Sequence, residues 1–269
     1  MFKDGEEVKD NLVKRQNKER IMGMDIIRGL ALINMIAYHL LYDLVYIFGV
    51  SISWFSIRQC FVWQQAICFT FILVSGVSFK LSKNLRKRGL IILLCAVILT
   101  ISTYLVMPEQ LILFGILHFL GSAVFLTILV QPIIKRIPAA IGLPAALFLF
   151  ILFRYISSGY LSFFSLWQFP LSSGLYKTPF LFFLGLPNAA FSSADYFPLL
   201  PWWFLYLGGY YLAEWLFKLD NFFLSKYPLS QVGIYRALHN SLGFMGRKSL
   251  IIYMFHQPII YGALVLMKF

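Results

Sequence analysis

Residues 22–48 have the sequence MGMDIIRGLALINMIAYHLLYDLVYIF, an apolar run that four charged or imidazole side chains interrupt. A helix needs about 20 apolar residues to cross a bilayer, so this run predicts a membrane-spanning helix. At about 100° per residue, the four side chains fall within an arc of about 60°. They are Asp25, Arg28, His39 and Asp43. Ionisable groups inside a bilayer are costly and usually face protein or a wet cavity. This polar stripe therefore indicates a functional site on the first span.

The composition of the whole chain points to a membrane location. The chain has 269 residues, of which 60% are hydrophobic and 13% charged, and its mean hydropathy is +0.77. Soluble domains have about 45–50% apolar and about 25% charged residues, so this chain is too apolar for a soluble or disordered protein. Because the apolar runs have the length of helices, the sequence predicts an all-α, polytopic integral membrane helix bundle.

Seven apolar runs are candidates for spans. They are residues 22–48, 55–79, 89–107, 110–130, 138–153, 199–217 and 249–267. The segment 154–198 contains only short apolar pieces, and we expect it to cross the membrane either not at all or twice, which gives seven to nine spans. Residues 1–20 are polar and are predicted to form a cytoplasmic N-terminal tail, followed by one transmembrane domain over residues 21–269.

The charge distribution predicts the orientation of the spans. With the N-terminus inside the cell, 18 of the 23 Lys and Arg residues fall on the cytoplasmic side, and only Arg58, Arg154, Lys177 and Lys268 fall outside. Such a bias is the positive-inside signal. The formal net charge of +12 is therefore read as a topology signal, and no nucleic-acid partner is predicted. The three cysteines lie in apolar runs without metal-ligand spacing, so neither a disulfide framework nor a metal site is expected.

The polar stripe has the chemistry of a general base and of an anion site. His39 and Asp43 lie four residues apart, so we expect the carboxylate to orient the imidazole for proton transfer. Arg28 precedes His39 by 11 residues, or about 16 Å along a helix. A phosphate held by Arg28 would lie near the cytoplasmic end, and a thin arm of that length would reach His39. Acyl-coenzyme A has this shape, with an anionic nucleotide and a long pantetheine arm.

The same residues carry a resemblance to known membrane acyltransferases. Asp25-x-x-Arg28 resembles the motif that precedes the catalytic histidine, at the same spacing, in the acyltransferase-3 family. Over residues 21–262 the chain is similar to bacterial relatives in the heparan-α-glucosaminide N-acetyltransferase family. The motifs that carry the similarity are Arg28-Gly29, Ser75-Gly76, GILHFLG at 115–121, DYFPLLPW at 195–202 and GRKSLIIYMFHQP at 246–258. The catalytic histidine of the animal enzyme lies in a different local sequence, so the resemblance implies the reaction and not the acceptor.

The resemblance implies an enzyme of the bacterial plasma membrane that transfers an acetyl or other short acyl group. Its donor would be cytoplasmic acetyl-coenzyme A. The resemblance places the acceptor outside, and we expect this acceptor to be an amino or hydroxyl group of a cell-envelope glycan or lipid-linked sugar. Membrane lipids and a second copy of the chain in a homodimer are the other expected partners. The alternative is a proton- or ion-coupled small-molecule transporter, because intramembrane Asp and His residues also mark such proteins.

The candidate site residues come from the stripe and from the matched motifs. The expected catalytic residues are His39, Asp43 and Asp25, with direct transfer and an acyl-histidine intermediate both open. The expected ligands of the coenzyme A phosphates are Arg28, Arg86, Arg88, Arg247 and Lys248, because basic side chains, and guanidinium groups in particular, bind phosphate. The expected acceptor-binding residues are His118, Asp195, Tyr196, Trp202, His256 and Gln257.

Each acceptor-binding residue also has a structural alternative. His118 is expected at the depth of His39, but histidines also hydrogen-bond between helices of a bundle. The carboxylate and rings of residues 195–202 suit a sugar, but Tyr and Trp also form the belts at membrane interfaces. The sequence His256-Gln257-Pro258 is expected to break the last span near its middle, because proline lacks a backbone N–H.

Overall fold

The structure is a computed structural model that is predominantly helical. It describes residues 3–55, 57–164, 166–223 and 241–267, and the side chains within 23–55, 58–164, 166–216 and 241–267. Its helices are α1 (Lys3–Tyr42), α2 (Ile57–Leu81), α3 (Leu85–Val106), α4 (Ile116–Ile134), α5 (Ala139–Leu152), α6 (Leu199–Phe223), α7 (residues 241–247) and α8 (Ser249–Leu266). A π-helical turn, Asp43–Ile47, continues α1. Short 3₁₀ turns lie at Pro108–Gln110, Ile156–Ser158, Ser173–Tyr176 and Phe182–Leu184.

Six helical segments in the described part of the chain are long and apolar enough to cross a membrane. They are Gly23–Ile47, Arg58–Leu81, Leu85–Val106, Ile116–Ile134, Ala139–Ser158 and Ser249–Leu266. The predicted class, a helical integral membrane protein, is thereby confirmed. The predicted span at 199–217 lies in α6, which has 25 residues but is not among the six. The count of seven spans and the cytoplasmic N-terminus therefore stay predictions.

The ambiguous segment between α5 and α6 contains a small β-hairpin. Strand β1 (Tyr160–Phe163) pairs antiparallel with β2 (Trp167–Pro170), with Tyr160 opposite Pro170. Between Ser158 and α6, the described residues contain no candidate span. This agrees with the first of the two expected alternatives, in which the segment does not cross the membrane.

The chain divides into two compact units, of which the first contains residues 1–74 and 215–269. In this unit α1 packs along α8. Its core is a cluster of buried side chains from α1, from the loop after it and from α2, namely Leu32, Met35, Tyr38, Phe55, Cys60 and Ile67. Contacts between α1 and the α7–α8 segment join Arg28 to Gly246, His39 to His256 and Phe48 to Tyr261. Since residue numbers rise together on both sides, α1 and α8 run in the same direction.

The second unit contains residues 75–214, with α3 packed along α4. An ion pair joins Lys80 on α2 to Glu214 on α6, and the Lys80 ammonium lies 4.2 Å from the centre of the Tyr210 ring. The Trp203 indole N–H donates to Thr127 Oγ1 at 3.0 Å, and Thr127 is fully buried. The buried hydroxyl of Thr127 is thus paired, as the low dielectric of a membrane protein interior requires.

Candidate active site

Asp43 lies where α1 changes from α-helical to π-helical geometry, a change that is frequent at functional sites. Its carboxylate is fully buried, with 0% of the residue exposed. Gln257 on α8 places its side-chain nitrogen 3.0 Å from each of the two carboxylate oxygens. Among the residues that the structure describes, no Lys or Arg pairs with Asp43. A neutral amide is therefore the described partner of this buried acid.

His39 lies beside His256 of α8. The centres of the two imidazole rings are 4.8 Å apart, and the ring planes meet at 62°. His256 is buried, and its Nδ1 lies 2.6 Å from the backbone carbonyl oxygen of Tyr253. Because a carbonyl oxygen only accepts, Nδ1 must carry the proton of this hydrogen bond, which leaves the lone pair of the neutral ring on Nε2. The site thus contains an imidazole with a fixed tautomer.

Two buried acceptor atoms at this place have no hydrogen-bond partner within the described part of the chain. They are His256 Nε2 and Gln257 Oε1. Buried polar atoms are nearly always hydrogen-bonded, to protein or to ordered water. Together with the carboxylate of Asp43, these atoms form a small cluster of hydrogen-bond acceptors next to His39, which we call the hydrogen-bond-acceptor cluster.

The structure differs from the expected arrangement of His39 and Asp43. We expected the carboxylate to orient the imidazole, but within the described residues it accepts its hydrogen bonds from Gln257 instead. The reason is that α8 places the Gln257 amide directly against both oxygens. The sequence did single out His39, Asp43, His256 and Gln257, and the structure brings these four residues together. The Tyr253 carbonyl, which fixes the tautomer of His256, was missed, because a backbone contact has no side-chain signal.

The expected break at Pro258 is wrong. Helix α8 continues from Ser249 to Leu266 with Pro258 inside it. Proline removes one backbone N–H from the helix, and within membrane helices such a loss is tolerated where neighbouring groups satisfy the freed carbonyl. His256 and Gln257 are therefore held by a continuous helix.

The other end of the polar stripe is built around Arg28. Its guanidinium forms an ion pair with Asp25, one helical turn earlier, and lies 3.4 Å from the carbonyl oxygen of Gly246. A Cβ at Gly29 would overlap the carbonyl of Leu242, and a Cβ at Gly246 would overlap the carbonyl of Asp25. The glycines of these two motifs therefore allow α1 and α7 to touch through their backbones.

Asp25 is placed at this end and not beside His39. It precedes His39 by 14 residues, which corresponds to about 21 Å along a helix. The carboxylate is buried and paired with Arg28, so its geometry suits the positioning of that guanidinium. Its predicted catalytic role stays a prediction.

The five candidate phosphate ligands are divided between the two units. Arg247 and Lys248 are exposed at the turn between α7 and α8, directly after the glycine that Arg28 contacts. Arg86 and Arg88 lie at the start of α3 in the second unit, where Arg88 donates to the Ser78 carbonyl at 3.5 Å. Arg247 and Lys248 thus lie in the first unit with Arg28, and the other two candidates lie in the second unit.

Asp195 in the second unit has a structural partner. It accepts a hydrogen bond of 3.0 Å from the backbone N–H of Ile116, at the first turn of α4. Burial raises the pKa of Asp195 to about 6, although this hydrogen bond works in the opposite direction. Carboxylates at helix N-termini satisfy free backbone N–H groups, which gives the residue a structural role alongside the predicted acceptor-binding one.

The remaining candidates also have partners in the second unit. His118 Nε2 lies 3.3 Å from Thr100 Oγ1, and the Tyr196 hydroxyl donates to the Phe182 carbonyl. Trp202 is buried, with the Arg154 guanidinium 4.9 Å from its ring. Acceptor binding by these residues stays a prediction. Among the described residues, no group of three or more His, Cys, Asp and Glu side chains could hold a metal ion.

Fold and site together define an integral membrane protein in which two adjacent helices hold two imidazoles against a buried carboxylate and amide. Residues 20–258 match the family described as heparan-alpha-glucosaminide N-acetyltransferase, catalytic. The chain belongs to this family and is a membrane-embedded acyltransferase, which confirms the expected resemblance. The relationship to the acyltransferase-3 family stays a prediction. Searches of curated proteins and of solved structures found no match.

Proposed function

We propose that the chain transfers an acetyl or other short acyl group from cytoplasmic acetyl-coenzyme A to an acceptor on the opposite side of the bacterial plasma membrane. The observation that carries the proposal is the meeting of His39 and His256 with the Asp43–Gln257 pair, inside the membrane-spanning part of a chain that belongs to an N-acetyltransferase family. Imidazoles next to a buried polar cluster provide the proton transfer that attack on a thioester requires.

The hydrogen-bond-acceptor cluster favours an amino group over a hydroxyl group of a cell-envelope sugar as the acyl acceptor. An ammonium group can donate three hydrogen bonds and a neutral amine two, whereas a hydroxyl group donates one. The site offers the Asp43 carboxylate, without a described basic partner, and unused acceptor atoms on His256 and Gln257. A ligand with several N–H groups would satisfy all of them, and a positively charged one would also compensate the buried carboxylate.

The Arg28 end suits the coenzyme A nucleotide. Arg28 is held by Asp25, while Arg247 and Lys248 are exposed next to it. The distance of about 16 Å from Arg28 to His39 along α1 suits the pantetheine arm. Basic side chains at a membrane surface also attract anionic lipids.

The proposed transfer across the membrane requires a cytoplasmic N-terminus, and we propose seven crossings. Because α1 and α8 run in the same direction, the chain between them must cross the membrane an odd number of times. The described part of the chain has four candidate spans between them, so α6, with 25 residues and a length of about 37 Å, is the natural fifth. Lys177→Cys should then react with an impermeant thiol reagent from outside, and Lys226→Cys only from the cytoplasmic side.

The experiment that tests the proposal follows radiolabelled acetyl-coenzyme A with the purified chain in lipid nanodiscs. Glucosamine and glucose serve as matched acceptor probes, since they differ in an amino group. We expect label on glucosamine with the wild-type chain and with Leu40→Ala, the exposed neighbour of His39, and an about 100-fold lower rate with His39→Ala. Full activity of His39→Ala would contradict the site. Ion-dependent uptake into vesicles, without coenzyme A binding, would support the transporter instead.

A further inference from the structure

We propose that His256 is the general base of the transfer and that its backbone contact with Tyr253 selects the nitrogen that acts. This inference rests on the proposed acetyltransferase function. Neither the family match nor the polar stripe on α1 assigns such a role to a residue of α8.

A backbone contact fixes which ring nitrogen of His256 carries the proton. Its Nδ1 donates to the Tyr253 carbonyl at 2.6 Å, one turn back on the same helix. A neutral imidazole has one N–H and one lone pair, so the lone pair lies on Nε2. Fixing one ring nitrogen by a backbone carbonyl is a usual way to direct the basicity of the other.

The other ring nitrogen, Nε2, is buried among aromatic side chains. Groups that face the His256 ring are the imidazole of His39 on α1 and the ring of Tyr253 on its own helix, at centre distances of 4.8 and 5.3 Å. The Asp43 carboxylate is bound to the adjacent Gln257. Nevertheless Nε2 is buried and lacks a hydrogen-bond partner in the described part of the chain, and the residue is only 9% exposed. A buried acceptor without a donor is destabilising, and a donor on a ligand would remove that cost.

Gln257 supplies the orientation of the incoming group. A carboxylate only accepts, so the Gln257 NH₂ must face Asp43 and its Oε1 must point away from it. Oε1 is the second buried acceptor without a described partner. An amine that donates one hydrogen bond to Gln257 Oε1 and another to His256 Nε2 would be held by two fixed acceptors. In this arrangement Asp43 is a positioning residue that acts through Gln257.

The proposed step begins with an uncharged amine. The amine nitrogen attacks the carbonyl carbon of the thioester, the new C–N bond forms, and the C–S bond breaks with its electron pair leaving on sulfur. His256 Nε2 takes one proton from the amine nitrogen. The proton on His256 Nε2 then passes to the adjacent neutral imidazole of His39, and a proton passes from this ring to the coenzyme A thiolate, so that the products are the acetamide and free coenzyme A, and both rings return to the neutral form.

The test compares His256→Asn, His256→Gly and the control Phe255→Leu in the glucosamine assay. The Asn amide can still donate to the Tyr253 carbonyl but is not a base, and Phe255 is 59% exposed at the position directly before His256. We expect His256→Asn to bind acetyl-coenzyme A with unchanged affinity and to lose about 100-fold or more in kcat. Phe255→Leu should keep the wild-type rate. Added imidazole should restore activity to His256→Gly, increasingly so at higher pH, because only the unprotonated imidazole is a base.

The outcomes separate this inference from the proposed function. Glucosamine acetylation by the wild-type chain together with more than a tenth of the wild-type kcat in His256→Asn would overturn the role of His256 alone. Failure of imidazole to restore a His256→Gly chain that still binds acetyl-coenzyme A would do the same, since a merely structural loss is not repaired by a free base. No transfer by the wild-type chain to any acceptor probe would overturn both proposals.

Discussion

Replacement of Gln257 by leucine tests the buried contact at the centre of the site. The Gln257 amide nitrogen lies 3.0 Å from both oxygens of Asp43, which is fully buried. A hydrogen bond to a charged group contributes about 1.5–3 kcal/mol, and loss of the partner of a buried charge costs about 3–5 kcal/mol. Polar side chains in membrane proteins couple by only about 0.6 kcal/mol on average, because unfolded helices find other partners. We therefore expect Gln257→Leu to lower the free energy of unfolding by about 2–3 kcal/mol.

The assay is unfolding of the purified chain in mixed micelles of increasing SDS content, followed by circular dichroism. A double-mutant cycle with Asp43→Leu isolates the pair, because Asp43→Leu/Gln257→Leu leaves no buried charge without a partner. We expect a coupling energy of more than about 1.5 kcal/mol. The control Ile259→Leu, at a position 65% exposed on the same helix, should change the stability by less than about 0.5 kcal/mol. A coupling energy below about 0.5 kcal/mol would refute the reasoning that a charged carboxylate is held by this amide.

Three further predictions concern packing, pH and the membrane interface. Gly29→Ala should destabilise the chain by about 1–3 kcal/mol in the same SDS assay, while Gly23→Ala, which has open space around it, should have no such cost; equal effects would contradict the helix contact. Burial raises the pKa of Asp195 to about 6, above the value of about 3.9 in unfolded chains. Between pH 4 and 6 the folded chain therefore binds more protons than the unfolded chain. The free energy of unfolding should then fall as the pH rises through this window, by up to about 3 kcal/mol. Asp195→Asn should remove this decline, and an unchanged pH profile would argue against it. In variants that keep a single tryptophan, brominated lipids should quench the fluorescence of Trp167, which begins β2 and is 48% exposed. The fluorescence of the buried Trp202 should be spared. Equal quenching of the two would show that the hairpin lies away from the bilayer.

The sequence was sufficient to predict the class of fold and the first span, because both depend on composition and on local periodicity. The lengths of the apolar runs and the helical angles of the stripe needed no tertiary information. The hairpin over Tyr160–Pro170 was not predicted, because its exposed aromatic residues have the same composition as short apolar pieces of a span. Local patterns also could not show that α8 continues through Pro258, since that depends on its neighbours.

The site was predicted in its residues but not in its pairing. Helical spacing placed His39 next to Asp43, because four residues bring side chains together on an ideal α-helix. The chain instead begins a π-helical turn at Asp43, and Gln257 arrives from a helix more than 200 residues later in the sequence. Such long-range contacts depend on how the helices pack. Gly29 and Gly246 illustrate the same limit. Each lies against the backbone of the other helix, and the sequence alone does not show which part of the chain makes that contact.

Because α8 runs parallel to α1 and follows directly after α7, both ends of the site are formed by α1 together with the α7–α8 segment. On α1, 11 residues separate Arg28 from His39, and on the other side ten residues separate Gly246 from His256. Between the same two contacts, α1 and the α7–α8 segment therefore contain nearly equal numbers of residues. The position of the imidazoles relative to the basic end is thus set both by α1 and by the α7–α8 segment, and α1 and α7 touch through their backbones at that end. A donor that is bound at the basic end would consequently meet the imidazoles at a fixed depth, about 16 Å along α1 from Arg28.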